Sequence, residues 1–135
     1  TRFEQEAMAV SYRQFDSVVK GLSGWRCQDC SEVEFDPESV VKYGQAGDQL
    51  LHEAQQHTAH EMRRIRKKLN ITQKSAVQIL SGGGHNAFSR YERAEVEPPK
   101  PLMVLMSLLD RHPHLFEEVK ASACGMVLDG ARAAR

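Results

Sequence analysis

Hydrophobic and polar positions change rhythm along the chain. Up to residue 35 the apolar residues alternate: Met8, Val10 and Tyr12 stand among small or polar neighbours, and Val33 and Phe35 repeat the pattern. A period of two places such residues on one face of a strand. Gly21 and Gly24 lie between these runs, just ahead of Cys27 and Cys30. They predict a turn that carries the C-x2-C pair between short strands.

Beyond residue 36 the period lengthens. Asp36 is placed to cap a helix that opens with Pro37 and carries Glu38 near its positive end. That helix is expected through residues 40–57, weakened by Gly44 and Gly47. Thr58 with Glu61 three residues later has the form of a capping box, which predicts a fresh helix start and a boundary near residue 57.

Consecutive short helices follow. The first covers 59–69, with Met62, Ile65 and Leu69 on one face and Asn70 able to close it in a left-handed conformation. The second covers 73–80, capped by Thr72; the third 86–95; the fourth 101–112, after "EPPKP"; and the fifth 114–121, around Pro113.

The fold class is therefore α+β: a small strand-rich N-terminal domain with a connecting helix over 1–57, an all-α five-helix helix-turn-helix domain over 58–120, and a flexible tail over 121–135. Charge divides at the same place. Residues 1–56 hold 5 Lys/Arg against 10 Asp/Glu, and residues 57–135 hold 13 against 8, within an overall net charge of zero. Such a division suits a protein-binding half joined to a nucleic-acid-binding half. The longest apolar run, "PLMVLMSLL", is far short of the roughly 20 residues that cross a bilayer, and no signal pattern opens the chain; a cytoplasmic protein without a membrane partner is expected. Three cysteines without a secretory signal argue against a disulfide framework, and Cys124 is most simply an unpaired thiol.

The glycine run "SGGGHNAFSRYERAE" raises the question of chemistry. A phosphate-binding loop needs a strand before its glycines and Lys-Ser/Thr after them, whereas this run follows a helix and leads into His85-Asn86. A dinucleotide fingerprint fails on spacing. No nucleophile, base and orienter fall into a recognisable arrangement, so no enzyme is expected.

The run works instead as the elbow of two steeply packed helices. Ala76 is small enough for the third helix to approach, Phe88 and Tyr91 point inward, and Asn86, Ser89, Arg90 and Arg93 lie largely outward. Asparagine can pair bidentately with adenine and arginine with guanine in the major groove, so Asn86 and Arg90 are the expected base readers. Gln73, Lys74 and Ser75 at the start of the second helix, with Ser89 and Arg93, suit phosphate oxygens. Arg63, Arg64, Arg66, Lys67 and Lys68 add positive charge.

The segments "RKKL", "TQK", "GGG-x-NAFSRYE" and "LLD-x-HP", spread over residues 60–120, closely resemble the C-terminal domain of MqsA (YgiT-type) antitoxins. The resemblance implies a homodimer on operator DNA, with Asn86 and Arg90 reading bases and two third helices roughly 34 Å apart on a palindrome. It further implies an N-terminal domain that neutralises an RNase-type toxin of the MqsR class.

In that family two C-x2-C pairs hold a structural zinc. Cys27 and Cys30 correspond to the second pair; the first is expected upstream of Thr1, or the site is lost in this member. Two thiolates half fill a tetrahedral shell. His52 and His57 lie about 140° apart around a helix, poorly placed to complete it beside His60. A partial zinc site at Cys27 and Cys30 is the expectation. The alternative function is a stand-alone transcription regulator whose N-terminal half senses metal or redox state.

Overall fold

The computed structural model describes residues 1–125. They divide into two compact units, Thr1–Gln56 and a second that begins at His57. The class is α+β, with the strands confined to the first unit.

Strands β1 (Arg2–Tyr12), β2 (Phe15–Arg26) and β3 (Val33–Phe35) form one antiparallel sheet in the order β1-β2-β3. Tyr12 faces Phe15 across a two-residue turn at which Arg13 takes a positive φ of 56°. The alternation on β1 is the expected one: Met8, Val10 and Tyr12 are partly covered while their neighbours are exposed. Phe3, Val19 and Leu22 are buried, with Val33, Phe35 and Tyr43 packed against them.

The glycines depart from expectation, because Gly21 and Gly24 sit inside β2 rather than in a turn. At Gly24 the reason is close approach: a Cβ there would lie 2.2 Å from the Glu34 carbonyl oxygen of β3. Glycine lets the short third strand pair at that point. The cysteine pair does occupy the connection between β2 and β3, as its flanking sequence predicts.

Helix α1 (Pro37–Lys68) is one continuous element of 32 residues, so the helix start expected at Thr58 does not exist. Two observations account for this. The Glu61 carboxylate, which a capping box would turn back toward Thr58, instead accepts from Arg64 at 2.5 and 3.2 Å. Ala59 and Met62 are both buried, so packing holds the backbone helical where the local pattern offers an interruption. Gly44 and Gly47 are tolerated inside it. At the other end the Asp36 carboxylate accepts a bidentate pair from Arg2, at 2.7 and 2.5 Å.

The second unit continues with α2 (Gln73–Ala76), a widened π-helical turn (Val77–Ser81), α3 (Ala87–Glu92), α4 (Lys100–Arg111), a 3-10 turn (Pro113–Leu115) and α5 (Phe116–Gly125). Asn70 closes α1 with a φ of 59°, and the Thr72 hydroxyl caps α2 by accepting the Ser75 N–H at 3.1 Å. The core gathers Met62, Ile65 and Leu69 of α1 with Ala76, Phe88, Leu102, Met106, Leu109 and Phe116. The tail expected over 121–135 starts inside α5; residues 126–135 lie outside the described part of the chain.

Candidate nucleic-acid interface

The elbow between α2 and α3 is built as its glycines require. Gly82 and Gly83 take φ values of 64° and 81°, a region costly for other L-residues, and nothing lies within 4 Å of a Cβ at either position. Their role is conformational rather than one of close approach. Gly82 N–H closes the π-turn on the Val77 carbonyl at 2.6 Å, and the chain then reverses into α3.

Helix α3 is held by its inner face. Phe88 is completely buried against Ala76 and its neighbours, with the Tyr91 ring edge-on at 5.7 Å. The outer face carries Asn86, Arg90 and Arg93, all exposed, and the half-buried Ser89. Asn86 occupies the capping position, yet its side chain makes no capping hydrogen bond, which leaves its amide available. Arg93 Nε donates to the Ser89 carbonyl at 3.3 Å. Asn86 and Arg90 are one helical turn apart, with the Arg90 N–H donating to the Asn86 carbonyl at 3.0 Å. The amide and the guanidinium thus share one exposed side of a core-anchored segment.

The other residues expected at phosphates divide. Lys74 is exposed at the start of α2. The Ser75 hydroxyl lies 3.1 Å from that of Thr72, and the Gln73 amide donates to Glu92 at 3.3 Å. The basic run also divides. Arg66 makes a bidentate pair with Glu92 at 2.7 and 3.0 Å and donates to the Ile71 carbonyl at 2.9 Å. These side chains are only 12% and 4% exposed, so the pair locks α3 to α1 rather than facing solvent. Arg64 and Lys68 both donate to Asp110 of α4, at 2.7 and 3.0 Å. These hydrogen bonds, from Arg64 first and then Lys68, hold the Asp110 carboxyl down at about 2, and the two positive charges add to the effect. Arg63 and Lys67 remain exposed.

Glu92 and Asp110 are charge partners of the basic run that sequence reasoning passed over. A signal for Glu92 existed: four positions after Phe88, it falls on the apolar side of its helix, where a carboxylate needs a partner.

Cys27 and Cys30 are exposed. Backbone N–H groups of Cys30 and then Asp29 donate to the Cys27 sulfur and hold its thiol below the ordinary range, a setting suited to a thiolate ligand. Among the described residues, however, no group of three or more His, Cys, Asp or Glu converges as a metal site. The two thiols do not by themselves fit a complete zinc shell.

No described helix is long and apolar enough to cross a membrane. The family model described as the antitoxin component of bacterial toxin–antitoxin systems, MqsA, matches residues 3–120. The chain is also similar to Antitoxin MqsA of Escherichia coli (strain K12), at 34% identity over 116 residues that cover 82% of this chain and 85% of that protein.

Proposed function

The chain belongs to the MqsA antitoxin family of bacterial toxin–antitoxin systems, and on that premise we propose that it represses transcription by binding operator DNA as a homodimer while its N-terminal unit neutralises an MqsR-like RNase toxin. One observation supports the DNA half above others: Asn86 and Arg90 stand together on the exposed side of α3, whose other side is anchored by the buried Phe88. An amide and a guanidinium so spaced match the bidentate hydrogen-bonding edges of adenine and guanine. Two such helices in a symmetric dimer would meet successive major grooves.

Lys74 at the start of α2 is an exposed cation suited to phosphate oxygens, as is Arg93 once it leaves Glu95, with Ser75 and Ser89 nearby in sequence. Gln73, whose amide already donates to Glu92, serves more as a brace for α3 than as a phosphate ligand.

The test has two arms. The protein is offered a randomised duplex pool, and enrichment of a palindromic site is the expected result; no enrichment would reject the DNA reading. It is also co-expressed with the product of the adjoining reading frame. Co-purification with loss of that product's toxicity is expected, and an unhindered toxin would reject neutralisation.

A further inference from the structure

Resting on the reading of α3 as the DNA-facing helix, we propose that Glu95 is a specificity-determining residue: it steadies Arg90 for contact with a base and screens Arg93 from indiscriminate contact with phosphates.

The placement of Glu95 is built by the end of α3. Arg93 N–H donates to the Ser89 carbonyl at 3.1 Å, Ala94 N–H to the Tyr91 carbonyl at 3.2 Å, and Glu95 N–H to the Arg90 carbonyl at 3.0 Å. These bonds close the helix around Ala94 at a φ of 59°, a left-handed position more often given to glycine. The turn brings Glu95 back beside the outer face instead of carrying it onward. Its two carboxylate oxygens then meet two arginines: Oε2 lies 3.6 Å from Arg90 Nε, and Oε1 lies 2.9 Å from Arg93 Nη1. All three side chains are about half exposed. The neighbouring acid, Glu92, is unavailable for this role because Arg66 holds it in the interior.

The two contacts have different consequences. Arg90 is approached at Nε, which leaves both terminal nitrogens for the O6 and N7 of a guanine; a side chain already steadied loses less freedom when it binds. Arg93 is held at a terminal nitrogen, so a phosphate must displace the carboxylate to reach it, and the negative charge of Glu95 opposes that approach. A duplex that offers only phosphates therefore gains less from this face than one that offers the right base edge.

The test uses the full chain. The native protein and Glu95→Gln are each put through selection from a randomised duplex pool. Affinities for the selected site and for a scrambled duplex are then measured across a salt series. Glu95→Gln should bind the scrambled duplex about five-fold more tightly, with a salt slope steeper by about one. It should also lose preference at the base that Arg90 reads, and on an Arg90→Ala background that position should no longer respond to Glu95→Gln. Unchanged discrimination and salt slope in Glu95→Gln would overturn the role of Glu95 and leave the DNA reading intact. A preference change that persisted without Arg90 would overturn it too. Failure of the native protein to select any sequence would overturn both readings.

Discussion

Removing the Glu92 carboxylate should destabilise the C-terminal unit far more than removing a surface acid. In Glu92→Ala, Arg66 Nε and Nη2 lose their acceptors at 2.7 and 3.0 Å, and a guanidinium that is 12% exposed is left without its counter-charge. Breaking a buried pair from one side costs about 3–5 kcal/mol. The lower end applies here because Arg66 keeps its bond to the Ile71 carbonyl. With a urea dependence of about 1.5 kcal/mol per molar, a loss of about 3 kcal/mol lowers the midpoint by about 2 M. Far-UV circular dichroism in urea reads the change, with Glu118→Ala on the exposed side of α5 as a control expected within about 0.5 kcal/mol of the native protein. The double replacement Arg66→Met with Glu92→Met should recover much of the loss, since apolar side chains of similar volume remove the stranded charge. A midpoint shift in Glu92→Ala no larger than the control's would refute the reasoning, because solvent would then be reaching Arg66.

Further outcomes are expected at the interface and in the charge network. Asn86→Ala and Arg90→Ala should each cost about 1–3 kcal/mol of operator binding and relax preference at single base positions. Lys74→Ala should weaken all duplexes alike and flatten the salt slope by about one; titrations on operator and scrambled DNA separate these behaviours. Asp110, held at about 2 by Arg64 and Lys68, and Glu61, lowered by Arg64, both sit below their unfolded values. Their pairing therefore supports the fold above about pH 4 and is lost as pH falls toward about 2. Asp110→Asn should flatten the acid side of a pH series of urea midpoints. Gly83→Ala, at a φ of 81°, should cost roughly 1–2 kcal/mol, whereas Gly84→Ala, outside the left-handed region, should be nearly neutral. Equal effects in thermal melts would count against the elbow.

Local signals carried much of this fold. The Thr72 cap, the left-handed Asn70, the alternation of Met8, Val10 and Tyr12 and the inward pair Phe88 and Tyr91 follow from residue chemistry and spacing, and the structure places each accordingly. What local reading missed was decided by the partner or core that each residue meets in space. Thr58 and Glu61 have the form of a helix start, but Arg64 takes the acid and the core takes Ala59 and Met62, so the helix runs through. Gly24 looks like a turn residue until the Glu34 carbonyl arrives against it. In the candidate site, Asn86 and Arg90 could be named from helical spacing and hydrogen-bonding capacity. Glu92, the partner of Arg66, and Asp110, the second partner of Arg64, lie 26 and 46 positions further along the chain, which a run of basic letters does not reveal.

Those internal partnerships change what an approaching polyanion would feel. Arg64, Arg66 and Lys68 turn their charge toward Glu61, Glu92 and Asp110, so a tally of cations overstates the pull at a distance. With screening over about 8 Å at physiological ionic strength, capture from afar would be modest, and dwell time would rest on shape and donor geometry at close range. If α3 meets DNA as proposed, a molecule made this way would spend less of its life stranded on the rest of a chromosome.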